Sequence, residues 1–99
     1  MYNSHYFDQV LIDITEAKVW YKEQKFGLEI EFAIAIETAI EKILKMPTSY
    51  SPRYKNIRIA HPKKFPYNIH FYIDGANETV IFTAIVHNKR DSNLSKSRV

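Results

Sequence analysis

Three β-type runs follow one another within residues 56–91, and this succession constrains the fold more than any other feature. They cover residues 56–61, 67–74 and 78–87. In the second run apolar and polar residues alternate, which is typical of a strand with one solvent-exposed face. The third run, TVIFTAIV, is apolar on both faces and rich in β-branched residues. It therefore predicts a central strand that is covered on both sides.

The connections between these runs are short and carry turn-forming residues. Gly75 and Asn77 are expected to take positive φ in a tight turn between the second and third runs, which makes a hairpin. Pro62 and Pro66 cannot donate hydrogen bonds to a sheet, so they bracket a turn between the first two runs. The three runs thus predict a three-stranded antiparallel meander.

The preceding part of the chain is helical in pattern. From Asp8 to about Lys25, and again from residue 28 until Pro47, apolar residues recur at spacings of three and four. Gly27 supplies a left-handed position between the two helices, and the short connection predicts an antiparallel hairpin. The first stripe contains Val10, Leu11, Ile14, Ala17 and Tyr21. The second contains Leu28, Phe32, Ala35, Ile36, Ala39, Ile40, Ile43 and Leu44.

The order of elements predicts an α+β fold of one domain. A short first strand within residues 2–6 is followed by the helical hairpin and then by the meander, giving β-α-α-β-β-β with the hairpin packed on one face of a small antiparallel sheet. Residues 48–52 are loop by composition. The domain is expected to span residues 1–91, with a flexible tail at 92–99.

Composition excludes several classes of protein. The chain has no cysteine, which rules out disulfides and cysteine zinc sites and suits a reducing compartment. Its first residues show neither the basic start nor the apolar run of a signal peptide. No apolar stretch approaches the roughly 20 residues that cross a bilayer. We therefore expect a cytoplasmic protein without membrane contact.

Charge is distributed unevenly along the chain. Residues 1–44 carry four lysines against eight acidic residues, a net charge of −4, whereas residues 45–90 carry eight basic against two acidic residues, a net charge of +6. A basic sheet on an acidic helical layer suggests that the sheet side meets an anionic partner. A charge surplus of this size is equally typical of a merely solvated surface.

Few residues carry recognisable chemistry. The four histidines lack the spacing of a helical metal site, two glycines cannot build a phosphate loop, and no cofactor is indicated. What remains is a basic set on or beside the strands, which we take as the candidate residues for binding a target or partner protein. It comprises Lys55, Arg58, Lys63, Lys64, His70, Lys89 and Arg90.

The same part of the chain contains residues suited to RNA cleavage through the 2′-hydroxyl. Such a reaction needs a base, an acid and cations around the phosphorane. His87 would transfer protons, since its pKa is ordinarily near neutral, and Arg58 and Arg90 would stabilise the phosphate. The alternative is structural: His87 and Arg90 cap the last strand, while Lys63 and Lys64 only populate an exposed turn.

Several local patterns, in order, resemble the RelE/ParE superfamily of toxins from bacterial type II toxin–antitoxin modules. The resemblance covers residues 7–91, and no single piece of it is diagnostic. It implies a small α+β domain with a groove for the antitoxin. The patterns are Asp13-Ile14, Ala17, Trp20-Tyr21, Gly27-Leu28, Phe32, Ile57-Arg58, Phe65-Pro66-Tyr67 and the ending Val86-His87-Asn88-Lys89-Arg90-Asp91.

The resemblance leaves a choice between two branches. The ParE-like branch inhibits DNA gyrase without a known enzymatic activity, and the RelE-like branch cuts messenger RNA on the ribosome. The ending His87-x-x-Arg90-Asp91 and the long hairpin resemble the ParE-like branch. The absence of a tyrosine after Tyr72 departs from the pattern of the nucleases. We therefore expect a gyrase inhibitor in a hetero-oligomer with its antitoxin. The alternatives are a metal-independent RelE-like endoribonuclease and a non-toxic antitoxin-binding module.

Overall fold

The computed structural model describes residues 1–90, of Arg90 only the backbone. A short strand β1 (Asn3–Tyr6) leads into helices α1 (Asp8–Gln24) and α2 (Leu28–Lys45). Four strands follow, namely β2 (Pro52–Tyr54), β3 (Ile57–Ala60), β4 (Tyr67–Asp74) and β5 (Thr79–His87). Short 3₁₀ turns lie at Pro47–Ser49 and Asn88–Arg90. The predicted α+β class is confirmed, whereas the predicted tail at 92–99 lies outside the described residues.

The strands form one five-stranded sheet in the order β1-β5-β4-β3-β2. Strands β3, β4 and β5 make the predicted antiparallel meander. β1 pairs with β5 in parallel, so the sheet as a whole is mixed. β5 therefore lies inside the sheet, between β1 and β4, and all residues from Val80 to Val86 are buried, as its apolar sequence predicts.

The hairpin packs on one face of the sheet, and most of the predicted stripes line this core. Val10, Tyr21, Phe32, Ile36 and Ile43 are buried. Gly27 joins the helices with φ 92°, the left-handed conformation that its position predicts. Leu11 was wrongly placed in the core, because its side chain is 53% exposed. It lies about 100° around the helix from Val10, which points straight into the core.

Two connections differ from the sequence prediction. Residues 48–52 were predicted to be loop, but Pro52 opens strand β2, which an edge position permits because its missing N–H costs no ladder bond. In the β4–β5 turn the left-handed residue is Glu78, with φ 46°, and neither Gly75 nor Asn77 takes a positive φ. Asn77 instead donates its backbone N–H and its side-chain amide to the two carboxylate oxygens of Asp74, at 3.3 and 2.8 Å. This side-chain anchor sets the turn.

Candidate binding surface

Basic residues gather where three strands reach the same end of the sheet. β3 ends at Ala60, β4 begins at Tyr67 and β5 ends at His87, which is paired with Tyr67. The N–H of Asn88 donates to the carbonyl oxygen of Pro66 at 2.9 Å and ties the two connections together. We call this region the basic sheet end, and its members are His61, Lys63, Lys64, His87 and Lys89.

The loop of residues 61–66 is held rigidly at this end. Phe65 is buried, with its ring centroid 5.0 Å from that of Tyr21 and 5.3 Å from that of Phe32. His61 Nδ1 lies 3.3 Å from the carbonyl oxygen of Tyr67, which only accepts, so Nδ1 carries the proton. Because the side chain of Phe65 is buried, the two lysines that precede it, Lys63 and Lys64, are exposed to solvent.

Lys64 is positioned by both backbone and charge. Its φ of 73° lies in the left-handed region, an uncommon conformation for a non-glycine residue. Its ammonium nitrogen lies 3.4 Å from Glu31 Oε1 on α2. Both side chains are largely exposed, so the pair contributes little to stability. It does fix the direction in which Lys64 extends, across the gap between the loop and α2.

His87 is half-buried and has structural contacts on two sides. Its ring meets that of Tyr67 edge-on, with centroids 5.4 Å apart and planes 74° apart. Its Nδ1 accepts the backbone N–H of Lys89 at 3.2 Å, which requires Nδ1 to be unprotonated. These contacts cap the end of β5. They agree with the alternative in which His87 has a structural role at the end of the last strand. The other ring nitrogen, Nε2, is not used by these two contacts.

Arg58 and Lys55 lie at a different part of the sheet from His87. Arg58 pairs with Phe71, four residues along β4 from Tyr67, which corresponds to roughly 13 Å. Its Nη1 donates to the carbonyl oxygen of Tyr50. Lys55 is exposed in the β2–β3 turn. The structure therefore does not bring Arg58 to His87.

The candidate Arg90 ends the Asn88–Arg90 turn, and its side chain lies outside the described residues. Its backbone follows His87 by three residues, which places the chain at the basic sheet end. Whether its guanidinium joins Arg58 or His87 stays a prediction.

His70 lies on the opposite face of the sheet from the helices. Its side chain is 1% exposed, so the expectation that this face of β4 is wet fails at this position. Its Nδ1 is 3.0 Å from the hydroxyl oxygen of Tyr54 on β2, and Thr83 Oγ1 donates to its carbonyl oxygen at 3.4 Å. Tyr54 was not a candidate from the sequence, because no strand was predicted there.

Residues that carry the family resemblance converge on one aromatic cluster, although they are spread over 67 positions from Tyr21 to His87. The ring of Tyr21 lies 5.1 Å from that of Phe32, and Phe32 lies 5.2 Å from Tyr67. Phe65 contacts Tyr21 and Phe32, and His87 contacts Tyr67. Burial, together with the charge and hydrogen bond of Tyr67, raises the pKa of Tyr21 to about 12. Its hydroxyl therefore stays protonated in the folded chain at alkaline pH values at which a solvent-exposed tyrosine ionises.

A groove adjoins the basic sheet end and was not predicted in detail by the sequence. It lies between α2 and the 61–66 loop and encloses about 380 Å³. Its surface is mainly apolar, formed by Ile34, Ala35, Ala39 and Phe65. The sequence signal for it is the pair of small residues, Ala35 and Ala39, one helical turn apart on the side of α2 that faces the loop. They leave space that larger side chains would fill.

Two classes of site are not found in the described part of the chain. No helix within residues 1–90 is long and apolar enough to cross a membrane. Nor do three histidine or acidic side chains there converge in a way that could hold a metal ion. No protein-family model matches the sequence, and a comparison with curated proteins also finds no match.

Proposed function

We propose that this protein is the toxin of a bacterial type II toxin–antitoxin module, a cytoplasmic ParE-like inhibitor of DNA gyrase that a cognate antitoxin neutralises in a hetero-oligomeric complex. The observation that carries the proposal is the aromatic cluster. Tyr21, Phe32, Phe65, Tyr67 and His87 come from four separate patterns of the RelE/ParE resemblance, and their rings form one connected cluster in the folded chain. Residues that carry the resemblance at separate places in the sequence thus lie together in one aromatic cluster of the fold.

The position of His87 favours the gyrase branch over the nuclease branch. A proton-transfer site needs its cations around the reacting phosphate. Arg58 is roughly 13 Å away along the sheet and is engaged by the Tyr50 carbonyl. His87 itself is committed to Tyr67 and to the backbone of Lys89. The basic sheet end is thus better arranged for binding an anionic surface than for a defined acid–base reaction.

A RelE-like endoribonuclease is the second candidate, and one observation favours it. Two histidines, His61 and His87, share the basic sheet end with Lys63 and Lys89, and each contacts Tyr67, through its carbonyl and its ring respectively. Two histidines with lysines form a set that general acid–base cleavage of RNA without a metal ion could use. The third candidate, a non-toxic antitoxin-binding module, would use the same surface for binding alone.

Controlled expression in a bacterial host without antitoxin separates the three. A gyrase inhibitor arrests growth, causes gyrase-dependent DNA breaks and induces the SOS response. A nuclease arrests growth with rapid loss of translation and cleaved messenger RNA. A binding module leaves growth unchanged, which would overturn the proposal.

A further inference from the structure

We propose that the groove between α2 and the 61–66 loop binds an acidic amphipathic peptide segment of a partner protein, with aliphatic side chains in the groove and carboxylates at its lysine rim. This deepens the proposed function and rests on it only for the identity of the partner, which there is the antitoxin. From the sequence, Arg58 and Arg90 were among the candidate antitoxin-binding residues. The structure points instead to a surface on the other side of the 61–66 loop.

The groove is elongated and follows the helix. Its lining on α2 runs from Glu31 to Lys42, which corresponds to roughly 17 Å along the helix axis. Ile34, at its edge, is 56% exposed, and Ile30 lies one turn before it with a similarly exposed side chain. An apolar groove next to exposed apolar side chains is a surface that binds an amphipathic helix, whose apolar residues recur at spacings of three and four. A compact ligand would not use this length.

The walls of the groove are already ordered. The loop is anchored by the buried ring of Phe65 and by the hydrogen bond from Asn88 to Pro66. The opposite wall is the middle of an eighteen-residue helix. This chain therefore loses little conformational entropy on binding, and most of the entropy loss comes from ordering the incoming segment.

The rim of the groove selects for negative charge. Lys42, Lys63 and Lys64 surround it, and Glu31 is its one acidic lining residue. Glu31 is paired with Lys64, whereas Lys42 and Lys63 form no ion pair within the described part of the chain. Carboxylates on an incoming segment would meet these two lysines, which favours acidic over basic partners.

Nucleic acid would also be attracted by lysines, but the floor of the groove does not suit it. Single-stranded nucleic acid stacks its bases on open aromatic faces. Phe65, the aromatic residue of the lining, is 8% exposed and packs edge-on against Tyr21 and Phe32. It presents no open face to a base, and the side chains beside it on α2 are mainly aliphatic, while the one further ring of the lining is the imidazole of His61.

The test is a titration of the ¹⁵N-labelled full chain, followed by NMR. The probe is a synthetic peptide of about twelve residues with leucines at spacings of three and four and glutamates elsewhere. We expect shifts at the amides of Ala35, Thr38 and Phe65. Lys42→Glu with Lys63→Glu should weaken binding about tenfold, while Lys18→Glu, a matched reversal on exposed α1, should change it less than about twofold. Thr38→Trp, which fills the groove from an exposed position, should abolish the shifts.

Three outcomes overturn the proposal. The first is the absence of groove shifts at about 1 mM peptide, a concentration that detects even weak binding. The second is equal binding of a peptide with lysines in place of glutamates. The third is that single-stranded RNA or a fatty acid shifts these amides while the peptide does not. Binding is measured on the purified chain without reference to toxicity. A chain that binds the peptide but is harmless overturns only the proposed function, and a toxic chain that does not bind it overturns only this inference.

Discussion

The Oδ2 atom of Asp13, on α1, accepts the backbone N–H of Ile85, on β5, at 3.3 Å. The pairing of β4 with β5 shifts at this point, because His70 faces Ala84 while Phe71 faces Phe82, which makes Thr83 the extra residue of a β-bulge. Ile85 lies past this bulge and is aligned with Ile69 of β4, whereas β1 pairs with β5 only from Thr79 to Phe82. The carboxylate of Asp13 therefore accepts a backbone N–H of β5 beyond the end of β1.

Replacing Asp13 by alanine should therefore destabilise the fold. The change leaves the Ile85 N–H without this acceptor in the interior, which costs about 1–3 kcal/mol. Urea unfolding of Asp13→Ala measures the loss, and Glu16→Ala, an exposed acidic residue on the same helix, is the matched control. Equal stabilities of the two variants would show that the fold does not depend on this hydrogen bond.

The two apolar stripes of the hairpin lead to a prediction about packing. Phe32 is fully buried among aromatic rings, so Phe32→Ala should cost about 3–5 kcal/mol. Leu11 belongs to the same kind of sequence pattern but is half exposed, and Leu11→Ala should cost less than about 1 kcal/mol. Thermal melting of both variants checks the contrast. A Phe32→Ala protein with the same melting temperature as the wild type would contradict the assignment of Phe32 to the core.

The tyrosine at the centre of the aromatic cluster predicts a dependence of stability on alkaline pH. The pKa of Tyr21 is raised from 10.0 to about 12. The unfolded chain therefore releases this proton before the folded chain does. The contribution of protonated Tyr21 to the free energy of unfolding is fully present below pH 10. It is lost as the pH rises towards 12, and the loss is at most roughly 2–3 kcal/mol.

Tyr21→Phe removes that titration. Between pH 10 and pH 12 the free energy of unfolding of the variant should fall less steeply than that of the wild type, as measured by denaturant unfolding at fixed pH values. Parallel slopes would mean that the phenol is not held neutral by the core.

The basic sheet end predicts how toxicity responds to substitution. His87→Gln keeps a polar acceptor for the Lys89 N–H but cannot shuttle protons near neutral pH. It should therefore leave growth arrest within a few-fold of wild type. Lys64→Glu reverses a charge on the proposed binding surface and should relieve the arrest. Growth curves after induction, with folding checked by circular dichroism, give the answer. A folded His87→Gln protein that loses toxicity along with messenger RNA cleavage would establish the nuclease instead.

Much of the fold was predictable because periodicity marks burial. Helix α1 ends within one residue of its prediction, and β4 spans the predicted residues. β2 was not predictable, because three residues beginning with Pro52 carry no pattern of their own and are ordered by pairing with β3. The parallel contact of β1 with β5 likewise depends on tertiary packing alone.

The candidate site was less accessible to sequence reasoning. The two lysines of the 61–66 loop were identified from their position in a turn, and they do lie at an exposed end of the sheet. The burial of His70 was missed because a period of two shows which residues share a face but not what covers that face. A groove was implied only by the family resemblance, and the position of this one was not predictable, since it requires α2 and the 61–66 loop to approach each other across more than twenty residues of sequence.

The central claim is inhibition of DNA gyrase, and a supercoiling assay with purified components tests it most directly. Relaxed plasmid, gyrase and ATP are incubated with the purified chain, and the DNA is then separated on a gel with and without prior protein denaturation. If the protein inhibits gyrase, supercoiling stops and cleaved, gyrase-linked DNA accumulates as the protein is added. Undiminished supercoiling and no cleaved DNA, from protein of the same preparation that cuts messenger RNA on ribosomes, would contradict it.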